Sequence, residues 1–424
     1  MKVKLIAVAL ALCSSSVFAD SSLSVYQAIN LAREYNIDIK KATLDRDVAD
    51  ARSDQAYAAY WPKIDLIAKT DNQRVNQSAD YRTSSDQQSQ VSAALLYTLY
   101  DFGARSSQVD AAQYALEGTE IKEALQNEVL VYDVFKAFIQ YDFAQLNYQL
   151  SQQYLDNVSQ LHTLIKQRVD AGFSAQSDKV RGELAFSEAT SRVKTARQGL
   201  TDSAIGLSNA TGINPEKIEG ILSAPFQFKQ DVKKITMNSN VNNPSIKIML
   251  SNVKMYESKI ASAQAERYPK IQVVGTYRHD FNRENFPGSE AYLQLVVPLT
   301  DGGLLRSQVK ESVDNHEIAK LTLQQAYRDL DKRQRDFVNI YHSAYDKLAI
   351  DEVSAEQAKK TLNIYQSEFS LGSRPLTDLI NAQKDLLNVK IDILNDKMNA
   401  YLAVLSLYNL NGDTMSGLNQ LVKQ

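Results

Sequence analysis

Between Gly103 and Ala171 apolar residues recur every three or four positions, Tyr154, Leu155, Val158, Leu161, Ile165 and Val169 among them, and no proline interrupts the pattern. That period is a helix's. The stretch is far longer than an ordinary helix, and at 1.5 Å per residue it would reach roughly 100 Å. Gly303 to Leu371 is equally long and also free of proline. Two other segments alternate instead. Ile64, Leu66 and Ala68 oppose Lys63, Asp65 and Lys69, and Val91, Ala93, Leu95, Tyr97 and Leu99 share one face. A period of two predicts strands.

The chain repeats itself. Asn36-Ile37-Asp38-Ile39-Lys40 returns as Asn243-Pro244-Ser245-Ile246-Lys247, and Trp61-Pro62-Lys63-Ile64 as Tyr268-Pro269-Lys270-Ile271, both shifted by 207 positions. Asp101, Ser107, Gly172, Asp178 and Gly212 return as Asp301, Ser307, Gly372, Asp378 and Gly412, shifted by 200. Repetition on this scale is duplication of one structural unit. The lost positions lie between the strands, in a polar loop at Asp71–Ser89 in the first copy and Asp280–Glu290 in the second.

Each unit has one order. A helix (about Val25–Ala59, or Ser245–Arg267) is stopped by Pro62 or Pro269. A strand follows, then the loop, then a second strand at Gln90–Tyr100 or Ala291–Thr300. The long helix ends at a glycine turn, and a return helix runs to about Ala210 or Leu410. The expected organisation is therefore a leader at 1–19, repeat one at 20–220 and repeat two at 221–424. Repeat one carries strands over about 62–100, a long helix at 103–171 and a return helix at 176–210. Repeat two carries strands over about 269–300, a long helix at 303–371 and a return helix at 376–410. The prolines agree. Pro62, Pro269, Pro287 and Pro298 fall at strand ends or in a loop, Pro215 and Pro225 in the linker, and Pro244 and Pro375 at helix starts, where proline is tolerated. Two shorter helices end to end would match one long one, so each unit reads as a rod with a β-hairpin at one end.

Composition narrows the setting. Lys2 and Lys4, the apolar run Leu5–Leu12 and Val17-Phe18-Ala19 form a secretory leader. Leu12 stands where lipoprotein processing expects a small residue, so Cys13, the only cysteine, is not read as a lipid anchor. The exported chain then has no thiol for disulfides or metal. The formal net charge of −3 gives no sign of a nucleic-acid surface. No apolar run is long enough for a transmembrane helix. Strands of this length can cross a bilayer if they close into a barrel, since open edges find no partners in lipid. Four strands cannot enclose a lumen, so closure needs other copies. The alternative is a periplasmic coiled-coil rod with a globular hairpin end.

Three motifs carry a resemblance. Tyr268-Pro269-Lys270-Ile271 precedes a strand, Val297-Pro298-Leu299-Thr300-Asp301-Gly302-Gly303 opens a long helix, and Leu371-Gly372-Ser373-Arg374 with Asp378 forms a tip. With the duplicated layout, they resemble the TolC-like outer-membrane efflux proteins over essentially the whole exported chain. The resemblance implies a fold that is mainly α with a small β part, in two tandem repeats. It also implies a homotrimer, with a 12-stranded barrel in outer-membrane lipid above a helical barrel in the periplasm. Its partners would be a periplasmic adaptor (a membrane fusion protein) and an inner-membrane ABC exporter or proton-driven pump. Cargo would be unfolded protein through type I secretion, or drugs or metals. No cofactor and no catalysis are implied.

The resemblance also points to site residues. The helix pair of the second repeat would close the tunnel at its periplasmic end, held by a link between Asp178 and Arg374. Asp378 matches a position that rings the constriction with carboxylates. A second such position is Asn381 here, and a tyrosine position is Phe369, so one ring and one hydrogen bond would be missing. The turns Gly172-Phe173-Ser174 and Gly372-Ser373 would touch the adaptor. The glycines have a local explanation as well, since they supply the left-handed residue that ends a helix. His162, His279, His316 and His342 are scattered without metal-ligand spacing, and no nucleophile or phosphate-loop motif occurs. Tyr97, Tyr100, Tyr277 and Tyr292 near strand ends suit an aromatic belt.

Overall fold

The computed structural model describes residues 22–74, 85–215, 217–226, 232, 235, 239–281 and 288–422. The expected leader at 1–19, residues 75–84 and 282–287 of the expected loops, Pro287 among them, and part of the expected linker lie outside the described residues. The chain runs α1 (Val25–Tyr35), α2 (Ile37–Ala58), β1 (Lys63–Arg74), β2 (Ser85–Tyr100), α3 (Ala104–Asp170) and α4 (Gln176–Thr211). After a single turn at Ser239–Asn242 it continues as α5 (Pro244–Ala265), β3 (Lys270–Asp280), β4 (Gly288–Val296), α6 (Leu304–Ser370), α7 (Leu376–Leu410) and α8 (Thr414–Val422). The fold class is the expected one: mainly helical, with a small antiparallel sheet and two tandem repeats.

The two long helices are 67 residues each. Asp101 starts the first, its carboxylate accepting from Arg105 N at 3.2 Å and Nε at 2.6 Å. Asp301 starts the second, accepting from Gly303 N at 2.9 Å and Leu305 N at 2.7 Å. A carboxylate there satisfies N–H groups that the first helical turn leaves open. The N-terminal half of α3 lies beside α2 and α5, and its C-terminal half beside α4; α6 lies along α5 and α7.

Four details differ from the expectation. The first helix is not continuous over Val25–Ala59, because Asn36 adopts an extended ψ of 122° and caps α2, accepting from Ile39 N at 2.9 Å. Asn243 does the same for α5, accepting from Ile246 N at 3.0 Å. An asparagine side chain competes with helical backbone pairing in this way. The described ends of the expected polar loops, 71–74 and 85–89 in the first copy and 280 and 288–290 in the second, are strand, since pairing extends to Arg74↔Ser85 and Arg278↔Gly288. β4 stops at Val296 rather than Thr300, close to Pro298, which has no N–H to give a ladder. Helix α8 was not anticipated.

The main core lies midway along the rod. Ile29 of α1, Phe135, Phe138 and Ile139 of α3, Leu207 of α4, Leu405 and Leu407 of α7 and Leu418 of α8 meet there. Burying each such side chain contributes about 1.5–3 kcal/mol. The segment between the repeats is pinned against this core. Leu23 N donates to Lys217 O and Glu219 N to Leu23 O, each at 2.9 Å. Asp142, buried at 3 % exposure, accepts from Ile221 N at 2.6 Å and Leu222 N at 2.8 Å. On the other side Lys397 Nζ donates to Leu222 O at 3.1 Å and Ala224 O at 2.7 Å. Burial pushes the Asp142 carboxyl up and the Lys397 ammonium down from their ordinary values.

Candidate functional site

The two ends of the rod carry different chemistry. At one end the four strands form a single antiparallel sheet in the order β1-β2-β3-β4. The register pairs Leu66 with Ala93, Ala93 with Tyr277, Leu95 with Gly275 and Val273 with Leu293. Ile64, Leu66, Val91, Leu95, Ile271, Val273, Leu293 and Leu295 therefore share one face. The opposite face carries Lys63, Asp65, Gln90, Ser92, Thr98, Gln272, Thr276 and Gln294, with Gln272 Nε2 donating to Thr98 Oγ1 at 3.2 Å. One face is apolar and the other mixed, with Ile67, Leu96, Val274 and Tyr292 standing among its polar residues; an uninterrupted apolar face on one side suits a sheet set against lipid. Among the described residues nothing covers the apolar face at its outer strands: Leu66 is 77 % exposed and Leu293 69 %. Both edges, β1 and β4, are unpaired among the described residues. No helix among the described residues is long and apolar enough to cross a membrane.

At the other end, α3 meets α4 and α6 meets α7 in matching turns. Gly172 has φ 76° and Gly372 φ 78°, a conformation glycine adopts at no steric cost. Phe173 N donates to Arg168 O at 2.7 Å and Ser373 N to Glu368 O at 3.0 Å, which satisfies carbonyls at each helix end. Phe173 and Leu371 are 76 % and 82 % exposed, so each turn presents a bare apolar side chain. Gly172, Gly372 and Ser373 are exposed, and Ser174 is half-buried.

The expected gate residues are distributed as follows. Arg374 donates to Glu368 Oε2 at 2.8 Å and to Asp378 Oδ2 at 3.3 Å, and lies 4.1 Å over the Tyr365 ring. The Glu368 hydrogen bond foremost raises its pKa further. Asp178 is half-buried in the first turn of α4 and forms no ion pair among the described residues, so it is not paired with Arg374 within the chain. Phe369 is buried with Leu161, Ile165, Leu376 and Leu379. Asp378 and Asn381 line a groove of about 380 Å³ between α6 and α7, together with Thr361, Tyr365 and Asp385.

Other links at this end were missed from the sequence. Arg168 donates to Phe369 O at 3.2 Å and lies 5.2 Å over the same residue's ring. Arg181 donates to Thr377 Oγ1, and Arg192 to Asn388 Oδ1 at 3.0 Å. Thus three arginines of the first repeat grip the second. Their acceptors are a carbonyl, a hydroxyl and an amide, so no acidic partner flagged them. Among the described residues no cluster of His, Cys, Asp and Glu is placed to hold a metal.

A sheet with one lipid-suited face and two open edges, mounted on rods roughly 100 Å long, is the layout of an outer-membrane channel protein. The outer membrane efflux protein family matches residues 28–213 and 238–413. The outer membrane protein TolC of Vibrio cholerae is 24 % identical, covering 95 % of this chain and 93 % of that protein. TolC of Escherichia coli is 21 % identical over 89 % of this chain and 79 % of its own length. Among solved structures, the Vibrio cholerae outer membrane protein VceC has a TM-score of 0.82 at 15 % identity, covering 92 % of this chain and 96 % of VceC. The open-state outer membrane channel MtrE of Neisseria gonorrhoeae scores 0.77 at 16 % identity, covering 92 % and 89 %. The chain belongs to the outer membrane efflux protein family. Its place is the outer membrane, and it is not an enzyme.

Proposed function

We propose that the protein is the exit duct of a tripartite export system, passing cargo from an inner-membrane pump and a periplasmic adaptor to the exterior. The carrying observation is the uncovered apolar sheet with two free edges. In lipid those edges need partners, and copies of the same chain supply them, β1 of one against β4 of the next. Three copies give a 12-stranded barrel, and their paired helices continue it as a periplasmic tunnel. The repeats are taken as 20–220 and 221–424. The cargo assigned is an unfolded protein delivered by an ATP-driven exporter. Drug or metal efflux with a proton-driven pump is the second reading, favoured by the family's description as efflux proteins.

The tunnel's closed state is assigned to the turn end. Arg374 holds Glu368 and Asp378 within its chain, and Asp178 is the partner it would take from the first repeat. Symmetry brings the copies of Asp378 together, and Asn381 leaves the next position uncharged. Block of single-channel current by divalent cations should therefore be moderate and should vanish in Asp378→Asn. Strong block abolished by Asn381→Ala would overturn the single ring. The exposed turns Gly172-Phe173-Ser174 and Gly372-Ser373 are assigned to the adaptor. Photocrosslinking from Ser373 in living cells tests the whole reading. Capture of an adaptor associated with an ATP-driven exporter supports protein secretion, and an adaptor associated with a proton-driven pump supports efflux. A well-expressed chain that captures no adaptor contradicts the duct.

A further inference from the structure

One buried polar group interrupts the apolar seam between the repeats near the turn end. On α7, Leu376 and Leu379 are buried with Leu161 and Ile165 of α3 and Phe369 of α6. Farther from the turns, Leu387 of α7 is buried with Tyr154 and Val158 of α3 and Ala185 and Ala189 of α4. The turn-side cluster thus joins α6 and α7 to α3, while the other gains α4 and lacks α6. Gln383 stands one turn from Leu379 and one turn from Leu387, on the face they share. It is only 7 % exposed, and its Oε1 is shut off from water and accepts no hydrogen bond among the described residues. Of the apolar residues in the two clusters, only half-buried Ile380 packs against both. The Arg168 and Arg181 links to the second repeat lie on the turn side of Gln383, and the Arg192–Asn388 bond lies beyond it.

We infer that Gln383 is a positioning residue of the gate, fixing how far up the rod the second repeat's helix pair parts from the first. The inference rests on the closed state assigned to the turn end. On the turn side of Gln383, α6 and α7 leave α3, and water reaches the amide. Beyond it, the cluster of Tyr154, Val158 and Leu387 and the Arg192–Asn388 bond stay closed. A buried acceptor without a donor destabilises the packed state alone, because in the parted state water donates to it. The orphan carbonyl therefore eases the first stage of opening. Parting beyond Gln383 exposes Leu387, Tyr154 and Val158, and that apolar surface resists. Ser151 Oγ, the other orphan on this seam, is fully buried one turn beyond Tyr154. A serine hydroxyl can turn to a carbonyl of its own helix, so its relief on opening is smaller than that of the Gln383 amide.

Thiol accessibility tests the boundary. Cys13, the only cysteine, lies in the expected leader, so Leu379→Cys and Leu387→Cys each give a single reporter in the full chain. Reaction with a water-soluble thiosulfonate is timed in isolated outer membranes, with and without Gln383→Met. Methionine keeps the length of the side chain and removes the acceptor. The thiol at 379 should react at least about tenfold faster than the thiol at 387, and Gln383→Met should slow 379 about tenfold, the factor given by about 1.4 kcal/mol, leaving 387 unchanged. In planar bilayers Gln383→Met should lower the open probability of the parent. Gln383→Glu puts a charge at the same place and should speed reaction at 379. Equal rates at 379 and 387, or a rate at 379 that neither substitution moves, overturns the inference. Failure of the duct reading shows separately. A parent that carries no current in planar bilayers removes the gate altogether, whereas current without the thiol pattern removes only the role of Gln383.

Discussion

Replacing Asp142 by alanine should release the segment that joins the repeats. The carboxylate is buried and accepts from the N–H groups of Ile221 and Leu222 at 2.6 Å and 2.8 Å. Leu222 is itself fully buried, so water does not replace the lost acceptor. An unsatisfied buried N–H costs about 1–3 kcal/mol; Leu222 carries that cost in full and the half-buried Ile221 only part of it. The same change removes a carboxylate that burial disfavours, which offsets part of that cost and places the expected loss toward the lower end. Asp142→Asn keeps one acceptor oxygen and should cost less than half as much. The assay is amide hydrogen exchange of the full chain in detergent. Each 1.4 kcal/mol of lost protection speeds exchange about tenfold, so Ile221 and Leu222 should exchange at least about tenfold faster, with the strands unaffected. Unchanged protection at Leu222 in Asp142→Ala would refute the clamp. Lys397→Met removes the opposite side of the clamp. Since both side chains hold the same short segment, the two losses should couple rather than add.

Asp396 offers a pH test. Burial first, then Asp351, raises its carboxyl from 3.8 to about 6, with Lys347 opposing and Asp392 reinforcing the shift. A raised folded pKa gives stability that is complete below the unfolded value and is lost as pH climbs to about 6. The full shift corresponds to at most about 3 kcal/mol, and solvent screening reduces it to about 1 kcal/mol. The parent should thus unfold more easily at pH 7.5 than at pH 4.5, and Asp396→Asn should remove most of the difference; a parent with flat stability over that range contradicts the pairing. Arg374→Ala removes both carboxylate contacts at the turn and should raise open probability in planar bilayers, whereas unchanged gating would remove Arg374 from the closed state. Arg168→Ala should act in the same direction through Phe369, and Arg181→Ala through Thr377. Asn36→Ala removes the cap of α2 and should destabilise the protein by about 1 kcal/mol, measured by thermal unfolding; no change would mean that the break before α2 is set by packing alone.

The long helices were legible because they depend on what is absent. Without proline, a three-to-four residue period leaves the backbone one regular option, and the matching glycines at 172 and 372 mark where it stops. The tandem repeat was legible from the constant shift. The break at Asn36 was not, because a capping asparagine looks like any polar residue on a helix until its ψ is known. The register shift of β2 against β3 between Thr98 and Tyr100 was hidden for a similar reason: alternation in β2 continues unbroken through Leu99, and only the partner strand shows the slip. At the turn end the sequence pointed to charged pairs, so it led to Arg374, Asp378 and Asp178. The arginines at 168, 181 and 192 bind a carbonyl, a hydroxyl and an amide, and such acceptors leave no signature in a sequence. Asp142 and Lys397 were silent in the same way, since their partners are main-chain atoms.

Closure of a barrel by copies of this chain through the free edges β1 and β4 can be tested by crosslinking. Read as beginning after Ala19, the chain has no cysteine of its own, which makes the test clean. Cysteines introduced together at Leu66 and Leu293, and separately at Ile64 and Leu295, would be joined in isolated outer membranes with a flexible bifunctional thiol reagent. Closure through β1 and β4 should give covalent dimers and trimers with nothing larger, lost when either cysteine of a pair is omitted. A ladder extending past trimers, or no product in protein that is folded and in the outer membrane, would contradict it.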